Sequence, residues 1–196
     1  PAHDERDLAF AQKFDLPVVR VVAQDFGTVL ADTVSVTGPV VIGYDPETKE
    51  YMSLRNKNAN DRRWLVAGGL EEGESYEQAA RRELKEEAGF SDVIDLISLG
   101  EPMNSYYFNS NKNSNRRAHS FTFLAILDKN LKGPQQQESN ENYEVVWSSA
   151  EAIEADFIKE KNTSSEDGIS HWIESIQRAR QAAKAYDANE AYKPSI

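Results

Sequence analysis

The sequence has no cysteine among its 196 residues. That absence excludes disulfides, thiolate metal centres and cysteine nucleophiles together. Histidine is nearly as scarce: only His3, His119 and His171 occur; His3 and His171 have no partner at metal-ligand spacing, and His119, before a strand, is a structural residue or a base. Basic residues are outnumbered, with 22 Lys and Arg against 33 Asp and Glu and a formal net charge of −11. Such a surplus repels phosphate polyanions, so neither a nucleic-acid binder nor an anionic-membrane binder is expected. It leaves room for phosphate substrates that arrive with a divalent cation. Long apolar runs are also missing; the longest, 121–127 with Thr122 inside it, is far too short to span a bilayer. The opening Pro1-Ala2-His3-Asp4-Glu5-Arg6 lacks the basic-then-apolar order of a secretory signal, and a cytoplasmic location is the expectation. No Walker A, GxSxG or HExxH sequence occurs, which leaves kinase-like, esterase and zinc-protease chemistry without support.

What is present is enough for one domain with a core, since hydrophobic residues make up 39% of the chain. Helical spacing of Leu8, Ala11 and Phe14 predicts a helix over 4–14 that Pro17 ends. β-rich runs follow at 18–23, 29–36 and 40–44, and a turn at 45–49 leads to a hairpin arm at 51–54. Polar, asparagine-rich segments at 55–63 and 104–115 read as loops, and 135–142 as a further polar connection. A helix is predicted over 75–88, stopped by Gly89, with strands at 93–99, 120–127 and 143–147. Two helices finish the chain, near 150–158 and 168–187, the second with Trp172, Ile176, Ala179 and Ala183 as an apolar stripe. Strands and helices are interspersed, so the class is α/β or α+β with a mixed sheet.

Residues 68–90 carry the chemistry. A Gly-punctuated loop feeds a helix whose second half bears Glu83, Glu86 and Glu87. At about 100° per residue the three carboxylates fall within an arc of about 100°. Like charges so close repel by a few tenths of a kcal/mol per exposed pair, roughly. A divalent cation reverses that sign, because clustered carboxylate oxygens are what magnesium or manganese prefers. The commoner meaning of an acidic helix is a solvated face, so the whole spacing must decide. Gly68, Glu74, Arg82-Glu83-Leu84, Glu86-Glu87 and Gly89-Phe90 stand in the pattern G-x5-E-x7-R-E-U-x-E-E-x-G-U, with U apolar. From residue frequencies alone, that pattern would arise in a chain this long with a chance on the order of 10⁻⁷.

This segment resembles the Nudix box at every fixed position, and the protein looks like a Nudix hydrolase. The resemblance implies an α/β/α sandwich and hydrolysis of the diphosphate linkage in a nucleoside diphosphate joined to another group X. Magnesium, with manganese as the alternative, would neutralise the phosphates and activate a water. By motif position, Glu83, Glu86 and Glu87 are implied metal ligands, with Glu74 and Arg82 supporting them. The opening Ala67-Gly68-Gly69-Leu70-Glu71-Glu72-Gly73-Glu74 is similar to that of ADP-ribose and nucleotide-sugar pyrophosphatases. In that group the carbonyl matching Ala67 ligates metal, and the loop including Gly68 approaches it. A β-rich N-terminal region builds the dimer in several of those enzymes, which implies residues 1–39 as a dimerisation extension on a Nudix domain over 40–196. The same group carries a loop Glu after the box that serves as base or metal partner. This chain has no acid between Pro102 and Leu127, so Glu141, Glu144 or a box Glu must supply that role. Lys112, Arg116, Arg117 and His119 form the main basic cluster and are candidates to clamp phosphates as a lid, with Arg55 as a further phosphate contact. Tyr106, Tyr107 and Phe108 could stack a base or pack in the core. A nucleoside triphosphate or dinucleoside polyphosphate is the alternative substrate, and a non-catalytic nucleotide-sensing module the alternative of another class.

Overall fold

The structure, a computed structural model, describes residues 10, 13, 14, 23–109, 112–137, 142–163 and 169–194. Most of the expected helix over 4–14 and strand over 18–23, together with Glu141, lie outside the described residues. Within them, nine strands form one mixed sheet. They are β1 (Gln24–Phe26), β2 (Val34–Asp45), β3 (Glu50–Asn56), β4 (Arg62–Trp64), β5 (Val66–Ala67), β6 (Asp95–Ser98), β7 (Met103–Asn109), β8 (Ser114–Ile126) and β9 (Tyr143–Ser148). Three α-helices accompany them: α1 (Tyr76–Glu83), α2 (Ala150–Thr163) and α3 (Ile169–Asp187).

The two longest strands, β2 and β8, run parallel side by side from the Val34–Arg116 pair to the Tyr44–Ile126 pair. Parallel strands need both faces covered, because their runs are apolar on both sides. The sequence meets that demand. On one face Val40, Ile42, Tyr44, Leu124 and Ile126 pack with Ile153 and Phe157 of α2 and Ile176, Ala179 and Ala183 of α3. On the other, Val41, Phe123 and Ala125 pack with Ala80 of α1, then Leu84, Ala88 and Phe90. Residues alternate between these faces along each strand. Each fully buried Leu, Ile or Phe contributes about 1.5–3 kcal/mol. The α/β/α layering implied by the resemblance is therefore the observed one, with α1 opposite α2 and α3. Among the described residues no helix is long and apolar enough to cross a membrane.

Three expectations need correction. The stretch 104–115 is a β-hairpin, not a loop: β7 and β8 pair antiparallel from Met103–Ser120 to Asn109–Ser114. Asn104 is buried there, and its Nδ2 donates to Asp25 Oδ1 at 2.7 Å, so tertiary pairing overrides a turn-like composition. Arg116, Arg117 and His119 consequently sit on β8 and cannot form a mobile lid; Lys112 remains in the turn. The runs 29–36 and 40–44 are not two strands, because β2 continues unbroken through Gly38 and Pro39. The expected division between 1–39 and 40–196 thus passes through the middle of β2. Finally, 55–63 contains the end of β3, a short 3₁₀ turn and the start of β4.

Candidate active site

The box helix starts where its first turn can be satisfied. Ser75 Oγ accepts from the Gln78 N–H and Gln78 Oε1 accepts from the Ser75 N–H, at 3.2 and 2.8 Å, a reciprocal capping box. After Glu83 the α-helix widens into a π-helical turn, Leu84–Ala88, and ends at Gly89 with φ of 80°, a left-handed conformation that favours glycine. Glu86 and Glu87 lie on this widened turn, so the regular helical arc expected for the three carboxylates is altered. The turn's carbonyls are met by the segment 133–137. Gln136 N–H donates to Glu86 O at 2.8 Å and Gly133 N–H to Gly89 O at 2.7 Å. The side chains of Gln135 and Gln137 both donate to Glu87 O and to Tyr143 O. These glutamines tie the turn to β9, and nothing in their sequence context marked them.

Arg82 is the hub of the site. Its Nε and Nη2 donate to Glu74 Oε1 and Oε2, each at 3.0 Å, the forked geometry that only a guanidinium gives. Nη2 also donates to Gly69 O at 2.8 Å, while Nη1 donates to Glu83 Oε1 at 2.7 Å and Glu86 Oε2 at 3.1 Å. The Arg82 charge holds the Glu74 carboxyl below its usual range, and its partners push the Arg82 pKa up. One side chain thereby fixes the loop, the start of the box and two of its carboxylates. Glu83 is 7% exposed and Glu87 4% exposed, whereas the Glu86 side chain is partly open.

The loop approaches those carboxylates closely. A Cβ on Gly68 would lie 1.7 Å from Glu83 Oε1, so only glycine lets the carboxylate rest there. Gly38 of β2 supports the loop from beneath: a Cβ on it would meet Gly68 O at 1.8 Å. Leu70 N–H donates to Thr37 O at 2.9 Å. The Ala67 N–H donates to Glu87 Oε2 at 3.1 Å, and Ala67 pairs with Val40 of β2. Thus Glu74, Glu83 and Glu86 meet on Arg82, Gly68 lies against Glu83, and Ala67, just outside the box, reaches Glu87.

The other candidates are placed differently. Arg55 Nη2 donates to Asp156 Oδ2 at 2.6 Å and Nη1 to Asp61 O at 3.0 Å, so its guanidinium is engaged by α2 and the β3–β4 turn. Arg63, 5% exposed, shares Asp156 Oδ2 through Nε at 2.8 Å and also reaches Ser53 and Ser148. Glu144 pairs with Lys57 at 2.6 Å and lies opposite Arg55 on β3, which puts it on the face of α2 rather than of α1. Arg116 opposes Tyr107 across the hairpin; Arg117, His119 and Phe121 alternate to the α1 face, where Phe121 stacks on Tyr76 at 3.6 Å. His119 Nδ1 lies 2.7 Å from Asn104 Oδ1, and burial lowers its pKa.

A cavity of about 320 Å³ opens on the α2–α3 face of the sheet. Its lining includes Ala67, Trp64, Tyr107, Phe108, Trp172 and His171. Ala67 therefore belongs to both places, its N–H on Glu87 and its residue on the cavity wall. Tyr107 and Phe108 serve as wall here, while Trp172, read from the sequence as core, both packs in the core and faces the cavity.

Carboxylates of Glu83, Glu86 and Glu87 with the Ala67 carbonyl are a hard, all-oxygen donor set of the kind magnesium or manganese takes. Gly68 lets the Glu83 carboxylate lie against the loop backbone, next to Ala67. Among the described residues no three such groups converge to hold a metal; Arg82 takes the lone pairs of Glu83 and Glu86 instead. The chemistry of the residues fits the cation, with Arg82 as the group that must share its carboxylates.

Comparison with known proteins identifies the family and the fold. A 69-residue stretch, 35% of the chain, is 36% identical to an RNA pyrophosphohydrolase of Caulobacter vibrioides, of which it covers 40%. A 25-residue stretch is 68% identical to leucine–tRNA ligase of Chlamydia muridarum, of which it covers 3%. The chain thus spans well under two thirds of either curated relative. A solved Nudix hydrolase from Listeria monocytogenes shares the fold with a TM-score of 0.54 and 23% identity, over 76% of this chain and 94% of that one. The NUDIX domain family matches residues 35–172, from β2 to the first turn of α3, and so takes in the box, the cavity lining and all of the sheet from β2 onward, leaving out β1. By that match and by the site built on Arg82, the chain belongs to the Nudix family.

Proposed function

We propose that the chain hydrolyses the diphosphate linkage of a nucleoside diphosphate joined to X, with ADP-ribose or a nucleotide sugar as the substrate class. The observation that carries this reading is the shared position of Ala67, between the carboxylates gathered around Arg82 and the aromatic cavity. A diphosphate leaving the cavity past Ala67 would meet Glu83, Glu86 and Glu87. A magnesium or manganese ion held by them and by the Ala67 carbonyl would supply charge neutralisation and Lewis acidity. Arg82 and Glu74 orient the carboxylates, and Gln135 and Gln137 anchor the turn that carries two of them. A panel of ADP-ribose, sugar nucleotides, nucleoside triphosphates and dinucleoside polyphosphates, each with magnesium and with manganese, tests the reading. Nucleoside monophosphate from ADP-ribose or a sugar nucleotide supports it; tight nucleotide binding without turnover on the whole panel supports a sensing module.

A second reading, a triphosphate or polyphosphate substrate, is favoured by the similarity to RNA pyrophosphohydrolase and by the lack of an acid between Pro102 and Leu127. Pyrophosphate released from a triphosphate, or a pair of nucleotides from a dinucleoside polyphosphate, would select it. A cytoplasmic homodimer completes the proposal, to be checked by fractionation and by light scattering.

A further inference from the structure

If the chain cleaves a nucleoside diphosphate derivative, the cavity beside Ala67 takes one of the two groups that flank the diphosphate. Its lining distinguishes them. His171, in the first turn of α3, is 1% exposed and lines the cavity. Neither of its ring nitrogens has a hydrogen-bond partner among the described residues. Buried polar groups are normally satisfied, and one left unpaired costs about 1–3 kcal/mol. Such a group facing a cavity is a candidate to be satisfied by what enters it.

Burial, reinforced by the Arg178 charge, pushes the His171 pKa down to about 4. The imidazole is therefore neutral at pH 7 and offers one N–H donor and one lone-pair acceptor. Around it the walls are flat and apolar: Trp64 and Trp172 meet edge to face at 4.8 Å, and Phe157 packs edge to face on Trp172 at 5.3 Å. The charged side chains on the lining, Arg62 and Glu160, form an ion pair with each other. Such a chamber has no surplus charge for a phosphate, and Ser105, Tyr107, Asn109 and Ser120 place neutral polar groups beside its aromatic rings. It suits a planar heterocycle with polar atoms on its edge. At about 320 Å³ it lies at the small end of ligand cavities, with room for one nucleoside and not two.

We propose that this cavity is the nucleobase subsite and that His171 reads the polar edge of the base. The base lies among Trp64, Tyr107, Phe157 and Trp172, and the phosphates lead out past Ala67. This rests on the functional reading above, and its test separates the two. The probes are AMP, GMP, CMP and ribose 5-phosphate, which have no diphosphate to cleave, titrated against intrinsic tryptophan fluorescence. At least one nucleoside monophosphate should bind about tenfold more tightly than ribose 5-phosphate, as expected for a base contact of one hydrogen bond plus stacking. His171→Leu should weaken that binding about tenfold, the worth of one lost hydrogen bond, and raise KM for the diphosphate substrate. Its melting temperature should hold or rise, because an unsatisfied polar group is removed. Ala118→Leu, which fills the cavity from β8, should weaken binding even if His171→Leu does not fold. Equal affinity for ribose 5-phosphate, or unchanged nucleotide binding in a folded His171→Leu or Ala118→Leu protein, would overturn the subsite. Hydrolysis with no effect of these variants removes the subsite and leaves the function. Base-selective binding with no hydrolysis of any substrate does the reverse.

Discussion

Arg82 grips both carboxylate oxygens of Glu74, Nε on Oε1 and Nη2 on Oε2, each at 3.0 Å. The residues are eight apart, one near the start of the box and one at the end of α1, so the pair closes the loop onto the helix. The remaining Arg82 donors reach Gly69 O, Glu83 and Glu86, and so the fork sets where two implied metal ligands stand. Glu74 acts through Arg82, as a positioning residue.

This relationship gives the first expectation. Arg82→Lys keeps the charge but cannot make the two parallel bonds, and Glu74→Gln weakens them from the other side. Each variant should lose about 10–100-fold in kcat/KM or in metal affinity, the usual cost of removing a group that orients metal ligands. Steady-state rates across a magnesium titration check this, and rates unchanged at every magnesium concentration would count against it.

Gly38→Ala is expected to damage the site from a residue that touches no carboxylate. Its Cβ would stand 1.8 Å from Gly68 O, a backbone atom that cannot step aside alone. The loop must lift from β2, with a loss of about 1–3 kcal/mol for overpacking. Activity should fall together with the melting temperature. A variant as stable and active as the parent would show that the loop is not seated on β2.

Asp156 holds two guanidinium groups through one oxygen, and Arg63 is the buried one. Asp156→Ala leaves Arg63 without that partner and should destabilise the fold by about 1–3 kcal/mol, toward the lower end because Asp156 itself is partly exposed. Urea unfolding measures it. The loss follows because this cluster ties β3 and β4 to α2.

The pH dependence of stability follows from His171. Its folded pKa of about 4 lies below the ordinary 6.5, so the unfolded chain takes up a proton that the folded one refuses. Stability should be unaffected by this group above pH 6.5 and should decline as pH falls from 6.5 toward 4. The lowered pKa of His119 acts in the same direction. Glu74, lowered by Arg82, adds its loss further down, within and below the usual carboxylate range. Urea midpoints between pH 7 and pH 4.5 should fall less steeply in His171→Leu than in the parent; equal slopes would contradict the assignment.

The box was legible in the sequence because its chemistry is local. Gly68, Glu74, Arg82, Glu83, Glu86 and Glu87 are fixed by spacing along one loop and one helix, and Glu74, Glu83 and Glu86 meet on Arg82, although the widened turn alters the arc of the carboxylates. What was illegible depends on distant partners. Asn104 reads as a loop residue until β8 is beside it and Asp25 takes its amide. Arg55 reads as a phosphate ligand until α2 brings Asp156 to it. The wider turn at Leu84–Ala88 answers to Gln135 and Gln137, whose roles no local pattern announces. His171 had no partner in sequence, and only the fold shows it facing a cavity with its nitrogens unpaired.

The central claim is that Glu83, Glu86, Glu87 and the Ala67 carbonyl hold a divalent cation for cleavage of a diphosphate. The measurement that tests it most directly is the rate of nucleoside monophosphate release from ADP-ribose or a sugar nucleotide, across a magnesium titration, for the parent and for Glu87→Gln. The parent should be active with magnesium and silent with excess chelator. The variant should fall by more than about 100-fold, beyond the cost of losing a merely orienting group. A parent rate indifferent to chelator, or a folded Glu87→Gln protein with the parent's rate and magnesium dependence, would contradict the account.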